Sequence, residues 1–174
     1  MNEPYLGQTT DMVLGQEFLT WLWFRSETQP MGFKDKNGTP FSLNLEQRIV
    51  VQGGEGDNLE TASVSGSLSQ LREVRLGLRT GKKVTRALVR FEREELAWQT
   101  TIKAEDFSFG SFKTPKVEIE KDDDPDAGFL EKMYLMELCL GLLDACYKLF
   151  LDVRLSALWD QEVREMSDWM SHQG

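Results

Sequence analysis

Residues 15–27 read Gly-Gln-Glu-Phe-Leu-Thr-Trp-Leu-Trp-Phe-Arg-Ser-Glu, and between Phe18 and Phe24 six of seven side chains are apolar. Leu14, Phe18, Trp21, Leu22 and Arg25 recur at three- and four-residue spacing, the period of an α-helix. Leu19, Trp23 and Phe24 spread the apolar surface round most of the circumference. A helix with one apolar stripe lies on a surface, whereas one that is apolar on most sides has to be buried on several of them. The pattern predicts a helix from about Met12 to Ser26, capped by Thr10 or Asp11.

The material that could bury it follows. Short strands are expected near Phe41 to Leu45 and over Arg48 to Gln52. Gly53 to Asn58 then form a hairpin loop, and Leu59 to Val64 the returning strand. Ser67 and Gln70 fit a capping box that opens a helix carrying Leu68, Leu71, Val74 and Leu78, with Gly81 as its stop, while the alternation of Val74, Leu76 and Leu78 gives a competing strand reading. Val84 to Arg93 and Leu96 to Ile102 alternate with a period of two, and Phe107, Phe109 and Phe112 suggest a further short strand. Beyond Asp122-Asp-Asp-Pro-Asp126 no proline interrupts the run from Gly128 to Met170. That run reads as a long helix with at most one break, near Ser156. Along it Phe129, Met133, Met136, Leu140, Leu143, Tyr147, Phe150 and Arg154 lie at helical spacing, and Leu135, Leu138, Leu142, Cys146 and Leu149 add a second apolar stripe. The expected fold is α+β: a small antiparallel sheet packed by the Trp-rich helix and the long C-terminal helix. Residues 1–121 form the α+β portion, and residues 122–174 an acidic helical segment packing on the same core. The Trp block is expected to pack against its own sheet and a second chain, with Trp21, Trp23, Phe24, Leu142 and Leu149 as the oligomer interface.

Several function classes find no support. No apolar run reaches the roughly 20 residues a membrane span needs, since Arg25 and Glu27 interrupt the longest block. No basic-then-apolar leader opens the chain, and Cys139 and Cys146 lie seven residues apart on one predicted helix, out of disulfide reach. They read as buried thiols, and the chain as cytoplasmic. The single histidine, His172, sits two residues from the end, so no Ser-His-Asp or Cys-His arrangement can be assembled. Gly77 to Lys83 miss the phosphate-loop spacing, and Lys83 stands where magnesium would need a hydroxyl. Asp122, Asp124 and Asp126 begin like a calcium loop, but Ala127 and Met133 occupy its glycine and glutamate positions. Acidic residues there suit a helix N-terminus instead. Neither an enzyme nor a metal or other cofactor is expected.

The charge distribution points elsewhere. The formal net charge is −9. Ser67 to Arg93 nevertheless hold eight basic residues against Glu73 and Glu92, while Val117 to the end holds five basic against fourteen acidic ones. Arg72, Arg75 and Arg79 would stripe one helix, Lys82 and Lys83 occupy the following turn, and Arg86 and Arg90 project from the next strand. If these pack as neighbours, the seven cations converge on a surface able to contact phosphates without reading bases.

With these residues assembled, the chain resembles the C-terminal half of the recombination-associated protein RdgC family over roughly residues 13 to 155. Leu-Gly-Gln-Glu-Phe-Leu-Thr-Trp-Leu-Trp-Phe-Arg-Ser-Glu is similar to the segment opening that half. Thr80-Gly-Lys-Lys-Val-Thr-Arg-Ala-Leu-Val-Arg90 resembles its GK-VT-LAL strand, and a terminal leucine-rich helix follows in the same order. The resemblance implies a non-enzymatic protein that binds duplex DNA without sequence preference as a homo-oligomer and restrains the RecA recombinase. It would place Lys82, Lys83 and Arg86 on or near the DNA-facing surface. It leaves out the family's N-terminal half, and Trp159 to Met170 extend past the family's usual end. The competing expectation is a homo-oligomeric interaction module that keeps the architecture and binds no DNA.

Overall fold

The computed structural model describes residues 14–45, 49–53, 60–64, 75–79, 81–117 and 124–171. The expected Thr10 or Asp11 cap, the Ser67–Gln70 capping box, the 54–58 loop, Arg72 and His172 lie outside the described residues. In chain order the elements are helix α1 (Gly15–Thr28), strands β1 (Ser42–Leu45), β2 (Ile49–Gly53) and β3 (Glu60–Val64), and a helical stretch at 75–79. Strands β4 (Lys83–Arg93), β5 (Leu96–Lys103) and β6 (Phe109–Lys113) follow, then helices α2 (Pro125–Arg154) and α3 (Trp159–Ser171). This is the α+β arrangement that the periodicities imply.

The sheet is antiparallel throughout, in the order β3-β2-β4-β5-β6. Its organiser is β4, long enough at 11 residues to serve two neighbours on one edge. There β2 pairs with Lys83 to Arg86 and β1 with Val89 to Glu92, while β5 runs along the opposite edge. Val50 pairs with Arg86 but Val51 with Val84, which leaves Thr85 as an extra residue in β4. A bulge of this kind shifts the side-chain alternation by one. It brings Val84 as well as Ala87, Val89 and Phe91 onto the inner face, where all four are fully buried.

Against that inner face lies α1. Its entry is tight: Leu14 turns the chain at a φ of 54°, and a Cβ on Gly15 would stand 1.9 Å from the Ala104 carbonyl oxygen at the end of β5. The helix therefore starts at Gly15, later than the apolar pattern suggests, because only a glycine lets its first turn seat on that backbone. Thr20 Oγ1 accepts a 3.0 Å hydrogen bond from the Val84 amide and so ties the helix to the bulged strand. On its other sides α2 and α3 close over it. The Phe18 ring lies 5.5 Å from Phe150 and 5.3 Å from Tyr147 of α2, and Trp23 meets Trp169 of α3 edge-on at 5.2 Å.

The C-terminal run is broken where the serine suggested. Ser156 donates to the Val153 carbonyl and accepts from the Leu158 amide, ending α2 and turning the chain into α3. At the start of α2, Asp124 caps the helix by accepting from the Asp126 amide, with Pro125 in the first turn. This is the helix-terminus role, not a calcium loop. The inner stripe of α2 (Leu135, Cys139, Leu142, Cys146, Phe150) belongs to the same core cluster as α1 and the sheet. Burial pushes the Cys139 thiol up to about 12 and the Cys146 thiol higher still. Both thiols should therefore be inert to a thiol reagent at pH 8 in the folded protein and react fully in denaturant.

Trp21, Trp23 and Phe24 are each at most 2 % exposed and Leu142 1 %, all within one chain, while Leu149 is partly buried against the same core. Trp21, Trp23, Phe24 and Leu142 are not available to a second copy, and the oligomer interface expected from sequence is corrected at these four. Two helices of the same chain supply the cover that seemed to require another molecule.

Gly15 provides a sharp test. Alanine exceeds glycine in helix propensity by about 1 kcal/mol, so propensity alone predicts that Gly15→Ala stabilises the protein. The contact with Ala104 predicts a loss of about 1–3 kcal/mol instead, the cost of overpacking a filled site, measured by urea unfolding.

Candidate nucleic-acid interface

The helix side of the sheet is closed by ion pairs as well as by apolar contacts, and these account for several of the basic residues. Three carboxylates sit at the seams around α1, each with an arginine that also lies over a tryptophan ring. Arg154 Nε donates to Glu17 at 2.9 Å and lies 5.1 Å above Trp159. Glu162 accepts from Arg25 Nε at 2.6 Å and from Trp21 Nε1 at 3.1 Å, with Arg25 5.3 Å above Trp21. Glu27 accepts from Trp23 Nε1 at 3.1 Å, Trp169 Nε1 at 2.7 Å and Arg75 at 3.3 Å, and Arg75 lies 5.6 Å above Trp169. An exposed ion pair adds little, but partly buried, ring-stacked pairs such as these position helices against one another.

Arg75 is thus part of the fold and is absent from any free phosphate-binding surface. Lys83 is 7 % exposed and borders a small cavity with Glu17, Thr20, Trp159 and Met166. The Lys82 stem crosses β2, since a Cβ on Gly53 would stand 2.8 Å from Lys82 Cγ. Arg79 is exposed at the end of the 75–79 stretch. The described cations therefore do not form one open surface: Arg75 is taken up by Glu27 and Trp169 and Lys83 is buried, whereas Arg79 and Arg86 are exposed.

Arg86 and Arg90 project from the opposite, outer face of β4, on the same side as Leu88 and away from the fully buried Ala87, Val89 and Phe91. The register adds two cations that the local composition missed. Arg86 pairs directly with Lys103 of β5, and Arg90 pairs with Gln99, which pairs in turn with Lys113 of β6. Paired residues of neighbouring strands point to the same face. Arg86, Lys103 and Lys113 are exposed, and Asn44 beside Arg90 is exposed too. The signal for Lys103 was present in β5, where it alternates with the inward Trp98, Thr100 and Ile102. Lys113 was hidden by the β6 bulge, where the pairing shifts between Gln99 and Thr101 and Ser111 takes a φ of 50°.

Directly opposed like charges destabilise a sheet, so the Arg86–Lys103 pair is costly unless something anionic answers it. On the strands of this face the acidic partner is Glu92, 2.6 Å from Arg90 in an exposed pair. At its rim, hydrogen bonds from Ser108 hold the Asp106 carboxyl below its usual range, with the Lys103 charge adding to them. Among the described residues the helices pack on the other face. α1 lies along β4 and β1 there, and inward-facing Trp98 donates to the Leu135 carbonyl of α2 at 2.8 Å.

A cleft of about 460 Å³ lies between the 35–37 turn and α2, bordered by Asp35, Arg93, Tyr134, Gly141, Asp144 and Lys148. Its size suits a small ligand. Four of its six charges pair with one another, Arg93 with Asp35 at 3.1 Å and Lys148 with Asp144 at 2.9 Å; Lys36 and Glu137 complete the charged lining. Backbone amides of Thr39 and Asn37, with Arg93, hold Asp35 below the usual carboxylate range. Among the described residues no cluster of His, Cys, Asp and Glu could hold a metal ion, and no helix is long and apolar enough to cross a membrane. Comparison with known proteins finds no matching family model, no matching curated protein and no matching solved structure.

The two kinds of cation should separate on unfolding. Arg75→Ala removes a stacked, paired side chain and should lower stability by about 1–2 kcal/mol. Lys103→Gln removes half of a like-charge pair and should be neutral or stabilising by a few tenths of a kcal/mol. Thermal and urea unfolding of both variants check the contrast.

Proposed function

We propose that this protein binds duplex DNA without sequence preference, through the outer face of its sheet. The observation that carries the reading is the cross-strand Arg86–Lys103 pair, with Arg90 and Lys113 on the same face beyond the intervening Leu88–Thr101 row. The two rows stand four residues apart on β4, about 13 Å at the rise of a strand. That is close to the roughly 12 Å width of the major groove, so the rows would meet phosphates on the two strands flanking it. Gln99, between Arg90 and Lys113, and Asn44, on the other side of Arg90, supply hydrogen-bond donors for phosphate or sugar oxygens. Such contacts are set by charge and spacing and carry no base readout. The reading agrees in kind with what the RdgC resemblance implies, a place in recombination or phage-related DNA metabolism. It moves the contact surface from Lys82 and Lys83 to β4, β5 and β6.

Fluorescence anisotropy of a labelled random duplex, titrated at three salt concentrations, tests it. If the four cations each neutralise a phosphate, log K falls against log salt with a slope of about −3.6. Arg86→Glu with Lys103→Glu should reduce that slope by about two and weaken all sequences alike, with the melting temperature kept. Binding unchanged by the double variant would remove this face from the account. No binding at low salt would leave the assembly-module reading.

A further inference from the structure

On the outward side of α2, Phe129, Met133, Met136, Leu140, Leu143 and Tyr147 follow one another at spacings of four and three residues. That alternation is the heptad seam of a helix packed against another helix. Its two ends differ. At the C-terminal end the seam is covered by its own chain, with the Tyr147 ring 5.3 Å from Phe18 and 5.4 Å from Phe107. At the N-terminal end it is bare: Phe129 is 64 % exposed, Met133 51 % and Leu140 43 %, with Leu130 beside them at 62 %. Where the covered part meets the bare part lies a hollow of about 220 Å³, bordered by Leu140, Leu143, Tyr147, Phe18 and Phe107, with Asp144 at its edge.

We infer that this seam binds a second copy of the chain, α2 against α2, antiparallel about a two-fold axis between Met133 and Met136. Three features select that occupant. First, the axis sets Phe129 of each copy beside Leu140 of the other, at the mouth of the aromatic hollow, so each copy supplies an anchor ring and the pocket that takes it. This reciprocity is the mark of an isologous interface. Second, the bare stretch is matched end to end. The partner helix, starting at Pro125, runs out where the partner-facing side of Leu143 and Tyr147 becomes covered. A parallel pair would instead drive the two Phe107-capped layers into each other. Third, the flanking residues are compatible: Glu137 comes beside the exposed Leu130 of the second copy, with no like charges opposed. With large side chains of about 200 Å² each, the bare residues contribute on the order of 500 Å² per copy, which puts the pair near the lower bound of roughly 1,000 Å² for a specific interface. The dimer is accordingly one of micromolar strength, formed on a face separate from the sheet cations.

Sedimentation equilibrium of the full chain from micromolar to millimolar concentration should show a monomer–dimer equilibrium. Phe129→Ala should raise the dissociation constant at least about tenfold, and Met133→Glu should leave monomer. Both should keep the wild-type circular dichroism and melting temperature at low concentration, since the substituted side chains are exposed. Phe129→Cys combined with Leu140→Cys should oxidise to a covalent dimer, and Phe129→Cys alone should not. A wild type that stays monomeric at millimolar concentration overturns the inference. So does a dimer indifferent to Met133→Glu, or crosslinking by Phe129→Cys alone, which would report a parallel pair.

Discussion

Everything in this structure follows from a helix that has no polar side to show to water. From Phe18 to Phe24 the side chains of α1 point to the sheet, to α2 and to α3 in turn, and apart from Thr20 each is an apolar group at most 2 % exposed. Thr20 is buried as well, and hydrogen bonds tie it to the Gln16 carbonyl and the Val84 amide. Covering such a helix takes three neighbours, and the chain provides them by placing the sheet beneath it and folding its last 50 residues back over it. The charged residues that α1 does carry are answered at the seams. Glu17 by Arg154, Arg25 by Glu162 and Glu27 by Arg75 fix the angle and register of the covering helices.

Among the described residues the helices gather on one face of the sheet, and Arg86, Lys103 and Lys113 stand exposed on the other. The charges divide accordingly. Acidic residues dominate the sequence that forms α2 and α3, whereas Arg86, Arg90, Lys103 and Lys113 stand on the open strand face. A net charge of −9 thus coexists with a local positive surface, and the resulting dipole would turn the sheet toward a polyanion and the helices away from it. The bare seam of α2 lies on the helix side, so pairing of two copies and contact with DNA would not compete for the same residues.

Much of this was legible in the residues. The period of two in β4 and β5, the helical period of α1 and α2, the break at Ser156 and the stop at Gly81 are all local signals, and local physics decides them. The failures are of another kind. Whether Trp21 and Trp23 face a sister chain or a helix 140 residues away depends on where α3 returns, which no periodicity encodes. Arg75 and Lys83 looked like members of one basic patch with Arg86 and Arg90, because nearness in sequence was taken for nearness in space. Arg75 is drawn to Glu27 and the Trp169 ring and Lys83 is buried, whereas Arg86 stands exposed on β4. Lys103 and Lys113 were missed for the converse reason: they join Arg86 and Arg90 only through pairing of strands that are separate in the sequence.

The claim on which the rest stands is that α1 is the centre of a single chain's core. Native-state hydrogen exchange reads it directly. If α1 is enclosed by its own sheet and helices, the amides of Phe18 to Phe24 should be the slowest in the protein. They should exchange only through global unfolding, with an opening free energy equal to the unfolding free energy and independent of protein concentration. Exchange through a lower-energy local opening, or protection that grows with concentration, would contradict it and return the tryptophan block to an interface between chains.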